Sequence, residues 1–303
     1  MRISLICTVI NEERSIDALI ESIFNQNHKP DEVVIVDGGS KDRTIDILKQ
    51  YAKKYNIKII SAPGANISQG RNIAIKHAKH PIIVSTDGGT RHDKSWLKHL
   101  VSPILEGKAD VSAGLFFPDP KTPFEEVAGN LLYPDMNKIP DNWPPSARSM
   151  AFKKLVWKKV GGFPEYLYTA EDSVFNYRAR DEFGFKYQVA RKSKAYWRPR
   201  PTLWKLIKQY YTYAKGNGEA LLSINHYPEN RMFYLNYLIL FGLLAISFIR
   251  IMYALYVLVG VAVLFFIYGL IRFKNLRGAI YTMLILYTLP IANFFGNHVG
   301  IFR

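Results

Sequence analysis

The chain has 303 residues, enough for one large domain or two modest ones. Its 40 Lys and Arg against 25 Asp and Glu give a formal charge of +15, which points to nucleic acid, an anionic membrane surface or a phosphorylated substrate as partner. The single cysteine, Cys7, excludes an intramolecular disulfide; lying in the apolar run ISLICTV it reads as a buried thiol, and the globular part is expected in a reducing compartment.

Asn11, Glu12, Glu13 and Arg14 interrupt the first apolar run at once, so no secretion leader is expected. Over the first 115 residues the pattern alternates. RISLICT, EVVIVD, IKIISA, PIIVSTD and ADVSAG read as short buried strands, and residues 14–26, 42–55, 66–79 and 93–106 carry apolar side chains at helical spacing, as in Ile16, Leu19, Ile20 and Ile23. This βαβαβαβαβ order predicts a parallel sheet with helices on both faces, and such sheets bind ligands beyond the carboxyl ends of their strands. Residues 118–145, rich in Pro and Asp, show no periodic pattern and are where acceptor choice is expected to reside. A helix is expected over 153–160, and Glu171 and Asp172 stand at the start of another that carries Val174, Phe175 and Tyr177. Leu203, Leu206, Ile207, Tyr210 and Ala214 form one stripe with Lys205, Lys208 and Lys215 off it, the pattern of an interfacial amphipathic helix over about 202–217.

Composition shifts near residue 231. Three apolar runs, 232–249, 251–271 and 279–298, are each long enough to cross a bilayer as a helix. Arg272, Lys274 and Arg277 lie between the second and third runs and Arg250 alone between the first two, which predicts a multi-pass cell-membrane protein with residues 1–231 on the cytoplasmic side. The membrane then accounts for much of the positive charge, and the aromatic-rich tail is no stacking platform for nucleic acid.

At the strand ends the chain reads TVINEE, VDGGSKDRT, APGANISQGRN and TDGGTR, with no G-x-G-x-x-G after the first strand and no P-loop. In order and spacing these resemble the family 2 glycosyltransferases of GT-A fold, whose first strand ends in P-x-Y-N-E, whose second ends in V-D-D/G-G-S-x-D-x-T and whose fourth ends in a D-x-D-like acid motif. The likeness continues through GGF at 161–163, TAEDSVFNYRAR at 169–180 and RPRPTLWKLIKQYYTYAKG at 198–216, and is nearest to the membrane-tailed, succinoglycan glucosyltransferase-like branch. It implies an α/β, Rossmann-like GT-A domain over residues 1–218 followed by a transmembrane helical region over 219–303. The activity it implies is transfer of a sugar from a nucleotide-sugar donor with inversion at the anomeric carbon.

The residues can be set against that chemistry. Thr8, Asn11 and Glu12 match the first-strand motif, whose Glu lies near the ribose and base in the family; alone, Glu12 would read as a solvated acid at a helix start. Asp37, followed by Gly38 and Gly39, is placed to accept from the base edge, or with Ser40 to cap the helix beginning near Asp42. Arg71 is placed to meet phosphate, or is a surface arginine. Asp87 and Gly88 stand in the acid motif, which in the family holds a divalent cation, Mg²⁺ or Mn²⁺, on the diphosphate. Gly89 fills the motif's third position, so Asp87 either ligates the cation with waters and phosphate oxygens, which Mg²⁺ tolerates, or holds ribose. His92 and Asp93 are nearby, and a His just after a turn is ordinarily solvated. The family pattern makes Asp172 the base that takes the proton from the acceptor hydroxyl and leaves Glu171 to orient the acceptor; helix capping is the competing reading. GGF reads as a plain turn or as the family's loop beside donor and acceptor. Of a Q-x-x-R-W-like motif only Gln209 is present, with Thr212 and Tyr213 in the other places, so Arg200 or Lys215 becomes the candidate phosphate-binding charge. The expected partners are a nucleotide-sugar, a lipid-linked or polyprenyl-phosphate acceptor and the membrane. A processive polysaccharide synthase and a non-catalytic membrane scaffold are the alternatives: the first needs more membrane helices, and the second has no use for acids at 37, 87 and 172 in order.

Overall fold

A computed structural model of the chain describes residues 1–220, 238, 241–242 and 251–301. They form two compact units, one of Met1–Pro118 with Pro134–Arg198, the other of Asp119–Tyr133 with Pro199–Arg303.

The first unit is built on one sheet. Strands β1 (Ile3–Val9), β2 (Glu32–Asp37), β3 (Ile57–Ser61) and β4 (Ile82–Asp87) alternate with helices α1 (Ile16–Phe24), α2 (Thr44–Ala52) and α3 (Ile67–His77). β5 (Thr90–His92), α4 (Trp96–Leu105) and β6 (Val111–Pro118) follow; after the excursion into the other unit come a 3-10 turn (Ala147–Ser149) and β7 (Met150–Lys153). The helices α6 (Lys154–Val160) and α7 (Glu171–Tyr177), a π-helical turn (Arg178–Glu182) and β8 (Tyr187–Trp197) complete the unit. Sheet order is β3-β2-β1-β4-β7-β6-β8-β5.

The period of two along the strands splits the core. Leu5, Cys7, Val9, Val33, Ile35 and Val84 face α1, α2 and α4, while Ile6, Val34, Val36 and Ile83 face α3, α6 and α7. Each is within a few per cent of complete burial, so truncating one to Ala costs about 2–5 kcal/mol.

The expected all-parallel sheet is corrected beyond β4. β1 to β4 are parallel, but β7 enters antiparallel beside β4, with Ser85 opposite Met150, and β6 lies on its far side. β8 runs parallel to β6, and the short β5 closes the edge antiparallel to β8. Because β7 starts opposite the end of β4, the turn at 147–149 comes to the carboxyl edge of the parallel half. Hydrophobic period alone marks a strand and is silent about its direction.

The second unit holds α5 (Pro123–Leu132), α8 (Leu203–Glu219) and two long apolar helices, α9 (Ile251–Phe273) and α10 (Leu276–Ile301). α5 corrects the reading of residues 118–145 as patternless: Thr122 caps Glu125 N–H at 3.2 Å and Pro123 takes the first turn. The stripe on α8 expected at a membrane surface is covered by protein instead. Leu206 and its partly buried companions Leu203, Ile207 and Tyr210 pack with Val127 and Ala128 of α5 and Ile285 and Leu289 of α10. Gly218, Gly296 and Gly300 let α8 and α10 touch backbone to backbone, since a Cβ at Gly300 would sit 2.1 Å from Lys215 O and one at Gly296 2.3 Å from Tyr211 O.

Two helices, residues Leu255–Phe273 and Leu276–Ile301, are long and apolar enough to cross a membrane, with mean hydropathy 2.2 and 1.5. The first shows Leu255, Val259, Leu264 and Ile271 more than half exposed. The run expected at 232–249 lies outside the described residues apart from Leu238, Phe241 and Gly242.

Candidate active site

The carboxyl ends of β1, β2 and β4 set one row of residues. In register, Val9 faces Asp37 on one side of β1 and Thr8 faces Asp87 on the other. Asn11, in the left-handed region at φ 55°, turns the chain so that its N–H meets Ser40 Oγ at 2.9 Å and its Oδ1 accepts from Lys41 N–H at 2.9 Å. Glu12 N–H donates to Thr44 Oγ1 at 2.7 Å, and Ser15 Oγ donates to the Glu12 carboxylate. That carboxylate is half-buried under Gly88, where a Cβ would come within 3.0 Å of it. Glu12 is therefore no solvated helix-start acid; it buttresses the end of β4.

Asp37 is 2 % exposed and closes its own turn, accepting from Gly39 N–H at 2.9 Å, Ser40 N–H at 3.0 Å and Ser40 Oγ. Gly39 is required there by φ 102°. Capping of α2 falls to Asp42, which accepts from Thr44 N–H at 3.0 Å.

Helix α3 delivers the central cation. A reciprocal pair, Asn66 Oδ1 with Gln69 N–H and Gln69 Oε1 with Asn66 N–H, each 2.9 Å, starts the helix. Gly70 lets it press on β1, because a Cβ there would stand 2.7 Å from Thr8 Cγ2. Arg71 is then 2 % exposed and reaches Asp87 Oδ1 at 2.6 Å with one nitrogen and the Glu171 carboxylate with another. It is not a surface arginine: the structure places it between two acids. Burial alone would lower the Arg71 pKa; Asp87, then Glu171 and Asp172, outweigh burial and raise it. Next to it, Asn72 pins the GGF loop, donating to Phe163 O at 2.8 Å and accepting from Phe163 N–H at 3.0 Å, while Phe163 stacks on Phe175 at 4.5 Å.

Glu171, expected to orient an acceptor, turns inward instead and is 5 % exposed against Arg71. Burial pushes its carboxyl up to about 7; Arg71 pulls the other way and the neighbouring Asp172 charge adds to the rise. Asp172 stays half-exposed. It accepts from Ser173 N–H at 2.8 Å on one oxygen and from Ala147 N–H at 3.1 Å on the other, so two backbone donors fix its plane. The first residue of the helix, Glu171, follows Ala170, a non-glycine in the left-handed region at φ 66°. The Asp172 carboxylate accepts its bonds from its own neighbour and from the 147–149 turn.

His92 corrects the expectation of a solvated ring. It is 5 % exposed, its nitrogens face Ser22 Oγ at 3.0 Å and Thr86 Oγ1 at 2.9 Å, and it lies 3.9 Å from the Trp96 ring. Burial, helped by Arg91, drops its pKa to about 3, so it is a neutral core residue. Cys7 is buried as expected, and burial raises its thiol pKa. Arg200 and Gln209 belong to the second unit, where Arg200 is exposed and Gln209, 8 % exposed, donates to Tyr213 OH at 2.8 Å.

Among the described residues no three His, Cys, Asp or Glu side chains cluster as a metal cage. Asp87 nevertheless suits a cation held by one carboxylate: its side chain is 23 % exposed, Arg71 holds Oδ1, and Oδ2 accepts no hydrogen bond from a described residue. Mg²⁺ keeps several waters and takes the rest of its shell from phosphate.

Two residues that the strand ends did not mark complete the picture. Thr86 Oγ1 donates to Arg148 O at 3.1 Å, and Ala147, its chain neighbour, holds Asp172. Asp87 and Asp172, 85 residues apart in sequence, are thus joined through the 147–149 turn on one side and through Arg71 and Glu171 on the other.

A mixed sheet whose parallel half ends in acids is the arrangement that comparison with known proteins identifies. The family model described as Glycosyl transferase family 2 matches residues 4–155, half of the chain, and the chain belongs to that family. A poly(ribitol-phosphate) beta-glucosyltransferase of Bacillus spizizenii is 31 % identical over 76 % of this chain and 35 % of its own length. Among solved structures, S. aureus TarS 1–349 in complex with UDP-GlcNAc shares the fold at TM-score 0.54 and 23 % identity, covering 71 % of this chain and 66 % of that one. The mannosyltransferase PcManGT from Pyrobaculum calidifontis, in complex with GDP-Man and Mn²⁺, does so at TM-score 0.66 and 17 % identity over 98 % of this chain and 87 % of that one. The chain spans less than half the length of the first curated relatives it matches, 43 %, 35 % and 32 %.

Proposed function

We propose that the chain is an inverting glycosyltransferase that moves a sugar from a nucleotide-sugar to a membrane-associated acceptor, lipid-linked or a polyprenyl phosphate, with Asp172 as general base. The observation that carries this is the double bridge between Asp87 and Asp172, which brings a carboxylate for the leaving group and a carboxylate for the incoming hydroxyl to one edge of the sheet. The Asp172 carboxylate, half-exposed and fixed by two backbone donors, takes the proton of the acceptor hydroxyl as that oxygen bonds to the anomeric carbon. The bond from that carbon to the diphosphate breaks on the opposite side, and a single displacement inverts it. Asp87 would hold the divalent cation, which when bound neutralises charge on the departing diphosphate. Arg71 keeps Asp87 and Glu171 in place without itself facing solvent.

A multi-pass membrane anchor with the catalytic unit on the cytoplasmic side is the reading that α9 and α10 support, and the domain division at about residue 218 belongs to it. Membranes containing the protein, incubated with a panel of labelled nucleotide-sugars, should yield a lipid-extractable labelled product. Label found in water-soluble product alone would refute the lipid acceptor.

A further inference from the structure

The reading above leaves one cation at the carboxyl edge without a task. Arg148 lies in the 3-10 turn between two residues that touch the site: its own carbonyl takes the Thr86 hydroxyl, and Ala147 N–H holds Asp172. Its half-buried side chain runs toward the ends of β6 and β8, where the guanidinium carbon sits 5.0 Å from the Phe116 ring centroid and 4.2 Å from that of Trp197. Trp197 is itself fixed at the sheet edge by its pairing with Thr90 of β5. Aromatic rings against a guanidinium hold it flat and partly desolvated, and they leave its N–H edges as the polar surface it presents. A planar fork of donors with a fixed charge, half shielded from water, matches the oxygens of a phosphate better than those of a neutral sugar. The chain also lacks the Arg of the Q-x-x-R-W-like pattern, since Thr212 stands in its place.

We propose that Arg148 is a phosphate-binding residue of this site, engaging either the diphosphate of the donor or a phosphate on the acceptor. This rests on the nucleotide-sugar reading of the site, but its test does not need turnover. The full chain in detergent is titrated with UDP and GDP, with uridine and guanosine as phosphate-free controls, and separately with undecaprenyl phosphate, following the fluorescence of Trp197 and its neighbours. Arg148→Gln should weaken one phosphate-bearing ligand by roughly 10- to 100-fold, the range expected for a charged hydrogen-bonded pair, and leave the nucleosides unchanged. Loss confined to UDP or GDP assigns the donor diphosphate; loss confined to undecaprenyl phosphate assigns the acceptor. Arg148→Lys, which keeps the charge and loses the flat fork, should fall between, and it is the variant read if the Gln form does not fold. The proposal is overturned if wild type binds none of these ligands, or if the folded variants keep every affinity within twofold. Asp172→Asn should leave nucleotide affinity intact, so failure of Asp172 as base and failure of Arg148 as phosphate ligand give different results.

Discussion

The parallel half of the sheet and the half beyond β4 build the site in opposite ways. In the first, each strand runs straight into the loop that carries its functional residue: Thr8 to Glu12 after β1, Asp37 after β2, Asp87 at the end of β4. In the second, Ala147, Arg148 and Asp172 reach the same edge only because β7 enters antiparallel and deposits the preceding turn beside β4. The lesson is that half the site is held by local turns and the other half by long-range bonds, chiefly those of Arg71. Disturbing the two halves should therefore have different signatures, loss of chemistry in one and loss of stability in the other.

The largest effect is expected where the first half meets the leaving group. Asp87→Ala should reduce transfer by roughly 10²- to 10⁴-fold, equivalent to several kcal/mol of charge stabilisation, and chelation should silence the wild type. Full activity in chelator would show that Lys or Arg does the neutralising. Next, Arg71→Met leaves two buried carboxylates without their cation and should cost about 3–5 kcal/mol in urea unfolding. Adding Asp87→Asn and Glu171→Gln should recover much of that loss, and an unchanged urea midpoint for Arg71→Met alone would mean the bridge does not join the halves. Gly70→Ala, which drives a methyl to 2.7 Å from Thr8 Cγ2, should cost about 1–3 kcal/mol by displacing α3 from β1. A neutral result would place the contact elsewhere.

The smallest effect is one of pH. The folded carboxyl of Glu171 titrates at about 7 against an ordinary 4.5, so between those values the native state binds more protons than the unfolded chain and stability falls as pH rises. The contribution is fully present below about 4.5 and gone above about 7. Glu171→Gln should flatten the difference in unfolding free energy across that window; an identical slope in both proteins would contradict the burial argument.

Much of the first half was legible because its signals are local. Period-two apolar runs with glycines after their acids identify strands, their ends and Asp37 or Asp87 as residues at those ends, and the described strands begin and end within a few residues of the expected ones. The partners of those acids were not legible. That Asp37 spends its oxygens on residues 39 and 40, and that Arg71 is sealed between Asp87 and Glu171, are facts of packing between segments up to 100 residues apart. Arg148 carried no signal at all, since nothing around PPSARSMA has a period and only strand direction brings it to the edge. His92 was misjudged because a polar residue after a turn reads as solvated, whereas Ser22 and Thr86 make it affordable inside. On α8, the amphipathic stripe was real but its cover was α5 and α10 rather than lipid; an apolar face does not say what it faces.

The central claim, that Asp172 is the base and the linked halves are one site, is tested most directly by single-turnover kinetics of Asp172→Asn with donor and membrane acceptor. An amide can satisfy only one of the two N–H groups now held, Ala147 at 3.1 Å or Ser173 at 2.8 Å, so a stability loss of about 1–3 kcal/mol is expected. Donor affinity should survive while the transfer step slows by roughly 10²- to 10⁴-fold. A transfer rate within a fewfold of wild type, in a variant destabilised by that amount, would show that Asp172 holds the 147–149 turn and does no chemistry.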